Sequence, residues 1–241
     1  MKVAILSDIH SNGDALGAVL SHAQADGAEA WWCLGDVVGY GAEPNLVIDR
    51  VRALGAVCVA GNHDWAACGL VSTRLFNRHA AFAAEWTARN TSPANLTWLK
   101  TLPLIERREN TLLVHATPSA PEEWNYCMMI EDALLEMDAF EEPVCVIGHS
   151  HYPGVFEKDG EEIRYTRAHQ LRLREGRRYL VNVGSVGQPR DGDPRAAYAM
   201  YDTTNGLLEH VRVSYDIEAA QTKILAAGLP PFLASRLAAG D

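Results

Sequence analysis

At 241 residues and 48% apolar composition, the chain can bury a sizeable core as one large domain spanning residues 1–241. Its net charge of −10 repels nucleic-acid backbones and acidic membranes, so stable nucleic-acid binding is not expected. No apolar run approaches the ~20 residues of a membrane span, and the odd set of five cysteines without a CxxC pair reads as reduced thiols of a cytoplasmic protein.

In chain order, residues 2–7 form a short apolar strand that runs into Asp8. Leu16, Val19, Leu20 and Ala23 then fall at helical spacing over residues 13–25, with Asn12 as N-cap. Ala30–Leu34 is a second strand ending at Gly35-Asp36, and a helix follows over Glu43–Ala53 with Pro44 in its first turn. Ala56–Ala60 is a third, ending at Gly61-Asn62-His63-Asp64. This alternation predicts βαβ units in a parallel sheet, whose ligands gather at the carboxyl ends of the strands.

Residues 65–100 read as helical, with Trp86 and Trp98 as anchors and Ser92-Pro93 as a helix start. Leu112–His115 and Val144–Gly148 are further strands that end on histidines. Between them lie a Pro- and Glu-rich loop and a helix around Met128–Met137. Asp159-Gly160, Glu175-Gly176 and Asn205-Gly206 are hairpin signals that predict antiparallel strands in the second half, followed by helices near Ile217–Ala227 and Pro231–Ala239. One α/β domain of two packed sheets accommodates this pattern.

Five strand-end pieces carry side chains suited to metals: Asp8-Ile-His10, Gly35-Asp36, Gly61-Asn62-His63-Asp64, Val114-His115 and Gly148-His149-Ser150-His151. Asp, Asn and His without Cys suit Mn²⁺, Fe or Zn²⁺ in a catalytic site rather than a structural zinc. Each piece alone is weak, because Asp is a common turn residue and a lone strand-end His is usually a satisfied one. The weight lies in the conjunction, since five of the nine histidines fall in these pieces. If the GHSH segment continues its strand, His149 and His151 share a face and reach one centre or two adjacent ones. His22, His79, His169 and His210 have no such setting and read as surface or packing residues, with His79 near enough in sequence to approach the pocket.

The ordered set DxH, GD, GNHD, a single His and GHxH resembles the calcineurin-like metallophosphoesterase superfamily over roughly residues 3–190. The segment Asn182–Arg195 and Gly39-Tyr40-Gly41 are similar to a bacterial and archaeal branch of small phosphodiesterases. Some members of that branch resemble asymmetrically cleaving diadenosine tetraphosphate hydrolases. Ser150 stands where Thr is frequent and Ala116 where Gly is, and neither change removes a ligand.

The resemblance implies a four-layer α/β/β/α sandwich of two mixed sheets holding two divalent ions, Mn foremost, with Fe, Zn, Ni or Mg as alternatives. Asp8, His10 and His151 would bind the first ion, Asn62, His115 and His149 the second, and Asp36 would bridge them. His63 would stand outside the coordination shell as general acid, with Asp64 orienting its ring. The implied reaction is in-line attack of a metal-bridging hydroxide on a phosphodiester or a nucleotide phosphoanhydride. Asn12, Tyr40 and Arg190 lie near the motif loops as contacts for phosphate or base, and Arg195 is a further cation in the same stretch. The partner implied is a small phosphorylated substrate, nucleotides included, acted on by a monomer or homodimer. A Ser/Thr protein phosphatase and a non-catalytic scaffold of the same fold are the alternatives. The intact His63 argues against the scaffold, and segments 65–100 and 116–127 read as lids over a small substrate rather than a groove for polypeptide.

Overall fold

The structure, a computed structural model, describes residues 1–241. Its first strands, β1 (Lys2–Leu6), β2 (Ala30–Cys33) and β3 (Val57–Cys58), are joined through helices α1 (Gly13–Ala25) and α2 (Pro44–Ala53) and pair in parallel, as the alternation predicts. Helix α1 starts where Asn12 Oδ1 accepts the Ala15 N–H at 3.0 Å, satisfying one of the donors a helix start leaves over. Strand β3 is shorter than the 56–60 run. Val59 still donates to Cys33, but Ala60 donates to Pro103, so the chain leaves the sheet one step before the GNHD loop.

The 65–100 segment is only partly helical. It takes in the end of α3 (Asn62–Ala67), then α4 (Arg78–Asn90) and α5 (Pro93–Lys100), the last two capped by Asn77 and Ser92. Residues 68–77 instead form a loop with one 3₁₀ turn at Thr73–Leu75. Gly69, at φ 71°, ends the preceding helix in a conformation that favours glycine. Trp86 anchors α4 by donating its indole N–H to Ala227 O at 3.1 Å, and Trp98 packs on the core below α5.

Strand β4 (Ile105–Arg108) precedes β5 (Thr111–Val114), and α6 (Ile130–Glu136) leads to β6 (Val144–Ile147). The remaining strands are β7 (Gly154–Asp159), β8 (Glu162–Thr166), β9 (Gln170–Arg172), β10 (Arg178–Asn182), β11 (Ala196–Asp202) and β12 (Leu207–Val213), and α7 (Ile217–Ala226) and α8 (Pro231–Ala239) close the chain. No helix is long and apolar enough to cross a membrane.

The strands form two six-stranded mixed sheets, ordered β3-β2-β1-β11-β12-β9 and β4-β5-β6-β10-β7-β8. Asp159-Gly160 and Asn205-Gly206 do turn hairpins, β7 to β8 and β11 to β12. Glu175-Gly176 does not: β9 before it belongs to one sheet and β10 after it to the other, where β10 runs parallel to β6. A Glu-Gly turn signal marks the reversal but not the partner.

Side-chain alternation builds the layers. Val3 and Ile5 of β1 join Val144 and Val146 of β6 in a core between the sheets. Ala4 and Leu6 face the other way, onto α1 and α2, while Cys145 and Ile147 face Ala133 and Met137 near α6. Strands covered on both faces read as continuous apolar runs, which is why these were visible in the sequence. The result is two stacked sheets with helices outside each, and the carboxyl ends of β1, β2, β3, β5 and β6 all open onto one edge.

Candidate dinuclear metal centre

The loops at that edge interlock. Asp8 N–H donates to Gly35 O and His10 N–H to Asp36 O, so the loop after β1 runs along the loop after β2. From the other sheet, His149 N–H donates to Asp8 Oδ2 at 3.0 Å. The loops approach so closely that a Cβ at Gly148 would collide with Ser7 and Asp8, and one at Gly61 with Asp36. Seven of the nine non-glycine residues with positive φ lie here: Asp8, His10, Ser11, Asp36, Tyr40, His149 and His151. Left-handed backbone costs about 1–2 kcal/mol per L-residue, and such strain clusters at functional sites. His149 and His151 therefore do not continue a strand. β6 ends at Ile147, and the two left-handed residues send their rings to different places.

Two groups result. Asp8, His10 and His151 form one, and Asp36, His115 and His149 the other; within each, one ligand atom per residue lies within 4.8 Å of the rest, and all six residues are buried. Asp36 Oδ2 lies 3.4 Å from His115 Nε2 and 3.7 Å from His10 Nε2, so one carboxylate oxygen reaches both groups. Its other oxygen is fixed by the His63 backbone N–H at 2.8 Å. Asn62 adds a buried Oδ1 that lacks a partner.

The protonation pattern fits cations. The Nδ1 atoms of His10, His115 and His151 face the carbonyls of Val38, Leu34 and Gln188 at 3.0, 2.7 and 2.5 Å. A carbonyl accepts only from N–H, so each neutral ring carries its proton on Nδ1 and turns the Nε2 lone pair inward. His10 Nε2 and His151 Nε2 stand 3.1 Å apart. Two lone pairs at that distance repel unless a positive charge lies between them. Asp8 Oδ1, His115 Nε2 and His149 Nε2 are likewise buried without hydrogen-bond partners, which costs about 1–3 kcal/mol per group unless something else supplies the contact.

The field points the same way. Burial alone would raise the Asp36 carboxyl, but His115, His63 and His10 hold it well below the usual range. Burial likewise opposes charge on His115, yet Asp36 lifts it to about 9. A proton is favoured where a cation would sit, and metal binding would displace it. Burial drives His149 down to about 3 and lowers His10 and His151, which keeps these rings neutral as ligands must be.

A model of the calcineurin-like phosphoesterase superfamily domain matches residues 1–206. The chain belongs to this superfamily. It is 39% identical over 244 residues to an uncharacterized protein of Methanocaldococcus jannaschii, covering 99% of this chain and 98% of the relative. A crystal structure of a metallophosphoesterase from Sphaerobacter thermophilus superposes with a TM-score of 0.89 at 38% identity, covering 100% of this chain and 99% of that one. A symmetrical bis(5'-nucleosyl)-tetraphosphatase of Cronobacter sakazakii is 25% identical over 148 residues, 58% of this chain and 52% of its own. Membership supports hydrolysis of phosphoesters.

A cavity of about 320 Å³ opens over this candidate centre, lined by Asp36, Asn62, His63, His149 and His151 together with Tyr40 and Arg190. His63 is buried and its ring stands 4.4 Å from Tyr40 and 5.0 Å from Phe76. Burial lowers it to about 4, so it is neutral in the free protein. Asp64 does not hold that ring: its oxygens accept the N–H groups of Val38 and Gly61 at 3.1 and 3.0 Å, while His63 Nδ1 has no partner. Packing orients the imidazole, and Asp64 instead pins the two loops that flank it. Burial, with Asp36 nearby, raises the Asp64 carboxyl to about 7.

Arg190 stacks over Tyr40 at 5.7 Å and donates to Gln188 Oε1 at 2.9 Å. Asn12 lies outside the cavity lining. Its amide caps α1 through Oδ1 and donates to Gly187 O at 3.0 Å, so it works as a brace between loops. Arg195 is an exposed partner of Asp193, and His79 stacks on Phe232 away from the cavity. His22, His169 and His210 meet Tyr198, Glu209 and the Asn182 carbonyl, in packing or surface roles as expected. Three aromatic residues of the cavity, Phe76, Trp124 and Tyr126, were not singled out from sequence. Trp124-Asn125-Tyr126, two aromatics in an otherwise polar loop, is the signal that could have found two of them.

Proposed function

We propose that the protein is a dinuclear-metal-dependent hydrolase of phosphodiester or nucleotide phosphoanhydride bonds. The observation that carries this reading is the single Asp36 oxygen within 3.4 Å of His115 and 3.7 Å of His10, between two groups of inward-facing donors. Asp8, His10 and His151 would hold one divalent ion and Asn62, His115 and His149 the other, with Asp36 shared. Mn²⁺ suits this oxygen and imidazole set, as do Fe, Zn and Ni, whereas Mg, which prefers oxygen ligands throughout, suits it less well. When bound, such a pair withdraws charge from phosphate oxygens and acidifies water near neutral pH.

The chain's own residues do the rest. Arg190 has no carboxylate partner within salt-bridge distance and offers its fork to a phosphate oxygen, while Tyr40 packs beneath it. His63 stands at the cavity wall, where it would protonate the leaving oxygen; an incoming phosphate dianion or monoanion raises the proton affinity that burial has lowered. The nucleotide side of the reading draws on the tetraphosphatase relative of Cronobacter sakazakii.

A panel with added Mn²⁺ tests it: a model diester, a monoester, a dinucleoside polyphosphate, cyclic nucleotides and a phosphopeptide. Turnover of the diester or the nucleotides above the others is expected. Preference for the phosphopeptide would shift the reading to a protein phosphatase, and a metal-loaded protein inert to all of them would make it a scaffold.

A further inference from the structure

We infer that residues 123–126 form a nucleobase subsite, so that the site takes one nucleotide unit; this rests on the phosphoesterase reading above. Tyr126 lies flat on the candidate ligand His149, ring centroids 4.2 Å apart and 16° from parallel, yet is 52% exposed. One face is covered and the rest stays open where the residue lines the cavity. That is the geometry of a stacking platform fixed beside the phosphate position. Two residues earlier Trp124 sits at φ 57°, a left-handed conformation that a bulky side chain adopts only when its surroundings impose it. Its indole Nε1–H is buried without an acceptor, on a residue that also lines the cavity. Glu123 supplies the cavity's one carboxylate outside the metal groups; its Oε2 accepts from the Asn125 amide at 3.1 Å, which leaves Oε1 as an acceptor for an exocyclic amine.

A platform, an indole N–H without an acceptor and a carboxylate with one oxygen to spare on one turn match a flat heterocycle with both kinds of edge group better than an alkyl chain. The volume sets the size. At about 320 Å³ the cavity lies at the low end of the ~300–1,000 Å³ typical of small-molecule sites, which accommodates one base, sugar and phosphate, and any further unit of a longer substrate would lie toward the open mouth.

Calorimetric titration of the Mn²⁺-loaded chain with inorganic phosphate, ribose 5-phosphate, adenosine 5'-monophosphate and phenyl phosphate tests this. The adenosine and ribose esters differ only by the base. The nucleotide should bind at least about tenfold more tightly than the sugar phosphate, the order expected for one stacked base. Tyr126→Ala should bring that ratio close to one and Tyr126→Phe should preserve it; as a ratio, it is insensitive to a general loss of affinity. Equal affinities in the unmodified protein, or a ratio that survives Tyr126→Ala, overturn the subsite while inorganic phosphate binding leaves the phosphoesterase reading standing. Phenyl phosphate binding more tightly than the nucleotide overturns the base in favour of a simple arene. Failure of every phosphate to bind overturns both.

Discussion

Two buried polar clusters meet in the loop after β6, and they are built on opposite rules. In the first, Asn182 donates to Gly148 O at 2.6 Å and Ser150 Oγ at 2.9 Å and accepts from Gly184 N–H at 2.9 Å, while His210 binds the Asn182 carbonyl at 2.8 Å. These contacts give each of those groups a partner. In the second, made by the intervening His149 and His151 with Asp8, His10, Asp36 and His115, backbone-facing atoms are paired and inward-facing ones are mostly not. Residues 148 and 150 are held, and residues 149 and 151 are presented. A satisfied cluster is a frame, whereas polar atoms left open on strained backbone mark the place where another species completes the bonding. The replacement of Thr by Ser at 150 is neutral on this view, since the hydroxyl is the part the frame uses.

The sharpest way to break the contrast is to remove the shared carboxylate. Asp36→Ala should lose metal binding and at least about 10²–10³-fold in kcat/KM, the order of a lost electrostatic element at a reacting centre. Its melting temperature should also stop responding to Mn²⁺, whereas the unmodified protein should gain about 2.7 kcal/mol at a hundredfold excess over Kd. Undiminished metal content would separate Asp36 from the centre. His63→Ala should keep its metals by elemental analysis and lose about 10²–10⁴-fold in activity, most on diesters with poor leaving groups. Equal activity on an alkyl diester would remove His63 from the chemistry. Asn182→Ala attacks the frame: it should cost about 1–3 kcal/mol in denaturant unfolding without metal, from carbonyl and hydroxyl groups left unpaired, and weaken metal binding about 10–100-fold. A change in metal affinity with no change in stability would place Asn182 in the centre rather than beneath it.

The loops of the candidate metal centre were legible because metal ligation favours Asp, Asn and His, and doubly covered strands announce their ends as apolar runs. Asn12 shows the limit of that reasoning: a polar residue beside a motif looks the same whether it meets substrate or, as here, caps a helix. The family resemblance makes Asp64 a partner of its neighbour His63, but its oxygens accept from the backbone of Val38 and Gly61, donors that only the fold reveals. Strand β4, Ile-Glu-Arg-Arg, was missed because an edge strand with exposed charges carries no apolar run. The cavity walls at 71–77 and 123–126 lie on irregular backbone, where no periodicity reports which way a side chain faces.

The central claim is that Asp36 is shared by two cations. Anomalous diffraction from crystals soaked in Mn²⁺ reads it directly. Two peaks about 3.5–4 Å apart, with Asp36 between them, His10 and His151 on one and His115 and His149 on the other, are expected. A single peak, or two that Asp36 does not touch, would contradict it.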